Sequence, residues 1–183
     1  MLYPVFNPFP VLTTERLVLR RFTYNDAADL FEMRSNETVM QYIHRPINKT
    51  IDDAIGLIAV IEDLLGKNDG VTWCICLKSS DKYIGSIGFW RIEKDNHRAE
   101  IGYLLNPAYQ GQGIMQEAVT AVIDYGFNLL KLHSIEARVS PDNVASIKLL
   151  LKNKFVHEAY FKEDHLFNGR FEDTVVYSLL TQT

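Results

Sequence analysis

Residues 109–117 read Tyr109-Gln110-Gly111-Gln112-Gly113-Ile114-Met115-Gln116-Glu117. Two glycines bracket Gln112 directly before a run of helical period. Ile114, Ala118, Val122, Tyr125 and Leu129 recur three or four residues apart and form one apolar face. Gly111 and Gly113 can take positive φ and let backbone amides come close to a ligand. The first amides of the following helix have no acceptor within it and lie at its positive end. Such a turn is a cradle for an anion, phosphate above all. A glycine turn that merely caps an ordinary helix has the same local sequence. The rest of the chain decides between the two.

With 183 residues the chain is long enough for one sizeable core, and residues 1–183 are expected to form a single domain. Pro4, Pro8 and Pro10, set among Tyr3, Phe6 and Phe9, keep residues 1–13 extended across its surface. A net charge of −4, with no Lys/Arg run, predicts no nucleic-acid partner. No apolar stretch is long enough to span a bilayer, and the N-terminus lacks the basic-then-apolar order of a signal peptide. No membrane partner and a cytoplasmic location are the expectations.

Cys74 and Cys76 lie two apart in a strand-like run and so share one face. A Cys-x-Cys pair can hold a soft metal, but the chain has no further thiols. Two buried, reduced thiols are expected instead, and no metal. His44, His97, His133, His157 and His165 are scattered without metal-ligand spacing and read as structural or surface residues.

Before the glycine turn, Arg16 to Phe22 reads as a strand. Thr23 caps a helix to about Arg34, with Asp26 suiting its positive end. A short helical turn is expected near Val39 to Ile43. Thr50 caps a second helix that runs to about Leu65. Val71–Leu77, Tyr83–Arg91 and Arg98–Leu105 follow with short connections, the mark of an antiparallel meander. After the glycine turn and its helix come a strand from His133 to Val139 and a helix from about Val144 to Lys154, capped by Asn143. Two closing strands, Val156–Phe161 and Thr174–Leu180, flank a turn at Asn168-Gly169. The order βααβββαβαββ makes a mixed α/β fold.

Four ordered segments of this chain resemble the GCN5-related N-acetyltransferases. Gln110 to Met115 resembles the family's Gln/Arg-x-x-Gly-x-Gly/Ala pyrophosphate loop, and Arg98 to Tyr103 its fourth strand. Val139-Ser140-Pro141-Asp142-Asn143-Val144-Ala145-Ser146 resembles its Asn-x-x-Ser segment. Leu166 to Asp173, Tyr177 to Leu180 and the early Thr14-Glu15-Arg16-Leu17 resemble the branch that contains the ribosomal-protein alanine and serine N-acetyltransferases. The resemblance implies a mostly antiparallel mixed sheet, flanked by helices and splayed beside the acetyl-CoA site. It implies that backbone groups of Tyr103, Leu104 and Leu105 pair with pantetheine. Amides of Gln110, Gly111, Gln112, Gly113, Ile114 and Met115 would hold the pyrophosphate, and Asn143 and Ser146 would contact the cofactor. Lys148 or Lys152 would reach the adenosine phosphates, or else be a plain surface lysine. Met115 departs from the small residue usual at the loop's last position. Its side chain is expected to turn into the core, because the cradle uses only backbone.

The implied reaction joins a neutral amine to a thioester carbonyl. At pH 7 an α-amine with a pKa near 8 is roughly one-tenth neutral, whereas a lysine is neutral in roughly one molecule in 2,500. Glu100 is the candidate base, directly or through water, against a solvated or arginine-paired carboxylate. Gly102, on the same strand face, is expected to leave space beside it. Many family members place an acidic tyrosine on the helix after Asn-x-x-Ser; here that position is Leu150. In the ribosomal-protein branch a serine matching Ser146 takes the role, against a hydroxyl that only bonds helix backbone. The expected enzyme is an acetyl-CoA-dependent N-acetyltransferase, monomer or homodimer, acting by direct transfer on the α-amine of a protein or peptide. A small-molecule amine acceptor (polyamine, amino acid or aminoglycoside-like drug) is the alternative, or a non-catalytic acyl-CoA sensor.

Overall fold

A computed structural model describes residues 1–181. Eight strands form one sheet: β1 (Leu12–Thr13), β2 (Leu17–Arg20), β3 (Val71–Leu77), β4 (Tyr83–Glu93), β5 (Arg98–Leu105), β6 (Ser134–Val139), β7 (Val156–Phe167) and β8 (Arg170–Leu180). Their order across the sheet is β1-β2-β3-β4-β5-β6-β8-β7. The β5–β6 pair is parallel and the other six are antiparallel. The helices are α1 (Ala27–Arg34), α2 (Glu37–Met40), α3 (Ile51–Gly66), α4 (Ile114–Asp124) and α5 (Val144–Lys152).

The two faces of the sheet are covered differently. On one, Ala27, Leu30 and Met33 of α1 and Ala54, Ile58 and Ile61 of α3 bury Cys74, Cys76, Tyr83 and Leu104. On the other, Ile114, Met115, Ala118, Val119 and Val122 of α4 and Leu150 of α5 pack on Trp73, Ile87, Ile101, Ile135 and Ala137. Helix α3 starts where the sequence places it, since Thr50 and Asp53 form a reciprocal capping box. The short turn comes slightly earlier than expected, because the Asn36 side chain accepts from Thr38 and Val39 amides and fixes the start of α2.

In the N-terminal segment Leu12–Thr13 pairs with β2. Two expectations are corrected. The α-helix after the glycine turn ends at Asp124, and Tyr125–Leu129 continue as one wider π-turn. Gly126 lies so close to Phe89, Leu132 and Ile135 that a Cβ there would sit about 3 Å from each, and Leu129 emerges into solvent. The β7–β8 hairpin extends well beyond the expected strands, to its turn at Asn168-Gly169, where both residues have positive φ.

Candidate active site

β5 and β6 pair only over Arg98–Ser134, Ala99–Ile135 and Glu100–Glu136. Beyond that point β5 continues to Leu105 on β4 alone, so the sheet opens into a wedge between β5 and β6. The β6-facing edge at Tyr103, Leu104 and Leu105 has no strand partner. A long bond of 3.4 Å runs from Gln110 Nε2 to the Leu105 carbonyl. A free strand edge offers amide and carbonyl groups to an extended ligand.

The glycine turn sits beside the wedge. Asn106 caps a 3₁₀ turn at Pro107–Tyr109, and Gly111 and Gly113 follow at φ 73° and 75°. Gly113 is the N-cap of α4. Residues Gln110 to Gly113 are exposed, while Met115 is buried in the core, as the sequence reading expects. The positive helix end and its unpaired first amides therefore follow directly on an exposed turn. These features fit a pyrophosphate.

Arg16 braces this turn, a contact the sequence motif alone does not reveal. Its guanidinium donates to the Gln112 carbonyl at 2.9 Å and to Glu117 Oε2 at 2.7 Å. Glu117 also accepts from the Thr14 hydroxyl and from the Arg16 amide. Partial burial pulls the Glu117 carboxyl up, but the bonds from Thr14 and Arg16 outweigh it and hold the group below its ordinary value.

Glu100 points to the α1/α3 face of the sheet, as Leu104 does, four residues on. Burial pushes its carboxyl up and Glu136 adds to that, while Arg91, Arg138 and Arg45 oppose them. Arg91 stands between two carboxylates, 3.6 Å from Glu100 and 3.1 Å from Glu136. Glu136 is buried and also paired with Arg98. The expectation of open space at Gly102 is wrong. The Trp90 indole lies there, and a Cβ on Gly102 would fall 2.1 Å from Trp90 Nε1. A bulge between Phe89 and Arg91 in β4 turns Trp90 onto that spot. A tryptophan thus floors the region beside Glu100, and nothing in the local sequence announces it.

Tyr103 faces the opposite side of the sheet, packed against the α4/α5 core. Its hydroxyl lies 2.6 Å from Ser146 Oγ in the first turn of α5. Ser146 therefore bonds a tyrosine, rather than helix backbone. Asn143 is the N-cap of α5, its side-chain oxygen accepting from the Ser146 amide at 3.1 Å. That leaves the Asn143 amide nitrogen as the end it can offer a ligand. Leu150 is fully buried, and Lys148 and Lys152 are exposed on α5.

Cys74 and Cys76 are buried and unpaired, with sulfurs 3.6 Å apart, as expected. Among the described residues, no cluster of three or more His, Cys, Asp or Glu could hold a metal, and no helix is long and apolar enough to cross a membrane. The histidines are less scattered than they read. His44 stacks on His165 with ring centroids 4.6 Å apart and lies 2.5 Å from Glu172, tying the segment after α2 to the β7–β8 hairpin.

Known proteins agree with this geometry. The family model of the acetyltransferase (GNAT) domain matches residues 16–156. The N-acetyltransferase YoaA of Bacillus subtilis is 37% identical over 172 residues, covering 94% of this chain and 97% of that protein. The ribosomal-protein-serine acetyltransferase of Escherichia coli is 36% identical over 98 residues, 54% of this chain and 55% of that one. A crystal structure of a GNAT-family acetyltransferase from Bacillus anthracis superposes with a TM-score of 0.83 at 28% identity, covering 93% of this chain and 98% of that one. The chain belongs to the GNAT family of acetyl-CoA-dependent N-acetyltransferases.

Proposed function

We propose that the protein acetylates the α-amine of a protein or peptide, with Glu100 as the base. The observation that carries this reading is the setting of Glu100: a half-buried carboxylate at the fork of the wedge, with three arginines in its field. A carboxyl raised by burial is a better proton acceptor than an ordinary one. It remains a weak base, matched to an α-amine that is already roughly one-tenth neutral at pH 7. A lysine would ask far more of it. Similarity to the ribosomal-protein-serine acetyltransferase supports the protein-amine reading over about half the chain.

On this reading the free β5 edge at Tyr103, Leu104 and Leu105 holds the pantetheine. Amides of Gln110, Gly111, Gln112, Gly113, Ile114 and Met115 hold the pyrophosphate, and Asn143 adds a side-chain contact. Because strand side chains alternate, Glu100 approaches from one face of the sheet and Ser146 from the other. The amine and the thioester then meet between them. Both thiols are buried under α1 and α3, so transfer is direct, without an acyl-cysteine. The test is acetyl-CoA-dependent thiol release with serine- or alanine-initiated peptides, the same peptides N-terminally blocked, and spermidine. Turnover confined to free N-termini is expected; preference for spermidine overturns the acceptor.

A further inference from the structure

A side-chain contact between β5 and α5 crosses the wedge. β6 leaves β5 after Glu136 and leads to α5, so α5 sits on the far arm while Tyr103 stands on the near one. The 2.6 Å contact between the Tyr103 hydroxyl and Ser146 Oγ is a bridge between the two arms. Ser146 is 7% exposed. Burial drives the Tyr103 phenol up to about 12, against the pull of its bond to Ser146. It therefore stays protonated at neutral pH and always has a proton to donate. Among the described residues Ser146 Oγ is the partner the structure gives it, and Ser146 Oγ has no other. The Ser146 backbone is itself fixed, because its amide donates to Asn143 Oδ1.

We propose that Tyr103 is a positioning residue for the transfer, its hydroxyl donating to Ser146 Oγ so that the serine proton is turned toward the leaving sulfur. This rests on the acetyl-CoA reading of the wedge. A hydroxyl accepting one hydrogen bond donates a stronger one, so the tyrosine both aims and polarises the serine. In the transfer the amine nitrogen bonds to the carbonyl carbon and the carbon–sulfur bond breaks, its electron pair going to sulfur. The surplus proton of the amine goes to Glu100, directly or through water. The Ser146 O–H donates a hydrogen bond to the developing thiolate, which takes its proton afterwards from solvent. No proton leaves Tyr103. A phenol held near 12 is a poor acid toward the conjugate base of a more acidic thiol, whereas a hydrogen bond through serine costs no such transfer.

CoA, the product, carries that thiolate, so the test needs no acceptor. The pKa of the bound CoA thiol is read from thiolate absorbance, as a difference from the complex with desulfo-CoA. In the wild type it should lie below that of free CoA. Tyr103→Phe and Ser146→Ala should each raise it by about one unit, roughly tenfold less thiolate at fixed pH, with CoA affinity falling more at high pH than at low pH. The double variant should go no further than either single one. Should Tyr103→Phe fail to fold, Ser146→Ala tests the same bridge from its other end. An equal thiol pKa in wild type and variants, or effects that simply add, overturns the proposal. A wild type that does not bind CoA sinks the cofactor reading beneath it instead.

Discussion

Arg16 and Glu117 are 101 residues apart in sequence, and Arg16 Nε meets Glu117 Oε2 at 2.7 Å. The pair joins the start of β2 to the first turn of α4, and the same guanidinium holds the Gln112 carbonyl at the apex of the glycine turn. A motif at the beginning of the chain thereby sets the shape of a loop in its second half.

Arg16→Ala should therefore weaken acetyl-CoA more than it weakens the fold. The Arg16 side chain is 44% exposed, and an exposed pair is worth at most about 1 kcal/mol of stability. The loop it braces loses a carbonyl contact as well. A rise of several-fold in the acetyl-CoA dissociation constant by calorimetry, with an almost unchanged melting temperature, is the expected pair of results.

Gly113 caps α4 at φ 75°, where a side chain costs roughly 1–2 kcal/mol and a β-branched one more. Its Cβ would otherwise meet only Arg16 Nη2, at 3.5 Å, so space is not the obstacle. Gly113→Val should leave the protein folded and raise the acetyl-CoA dissociation constant at least tenfold. Normal affinity in the folded variant would place the cofactor elsewhere.

Glu100→Gln should bind acetyl-CoA normally and transfer about 10²–10⁴ times more slowly, the usual worth of a general base. The base acts only when ionised, so kcat/KM, already falling as the amine protonates, should fall more steeply as pH drops through the carboxyl's pKa. That pKa is raised, chiefly by burial, which puts the acid limb above the ordinary carboxylate range. Arg91 works against the rise. Arg91→Ala should therefore move the limb to still higher pH, and a pH–rate profile on both proteins checks the direction.

Gly102→Ala pushes a methyl group into the Trp90 indole. Overpacking of this kind costs typically 1–3 kcal/mol, to be measured by urea denaturation. Adding Trp90→Ala removes the clash, so the double variant should lose less than the two single effects combined.

Much of the site was legible along the chain. Thr50, Asn143 and the two loop glycines each act on neighbours within a few residues, so their sequence neighbourhoods carried the helix starts and the glycine turn. Tyr103 to Leu105 were identified through likeness to a family strand, and the structure leaves that edge unpaired. Leu129 was misread because the helical period was extended through Tyr125–Leu129, where the backbone widens around Gly126. The space beside Glu100 was misread because a bulge in β4, one strand away, decides where Trp90 lies.

By itself the sequence determined the order of elements, the glycine turn before α4, the caps of α3 and α5 and, through four ordered motifs, the family. These depend on contacts within a turn or two, or on an order that the chain displays directly. Only the tertiary structure decided that Tyr103 reaches Ser146 across 43 residues, that Arg16 clamps Gln112 and that Arg91 stands between Glu100 and Glu136. Those pairs meet because of strand order, and because β5 and β6 part after three residue pairs. Strand order follows from how whole faces are buried, so no local pattern in the chain records it.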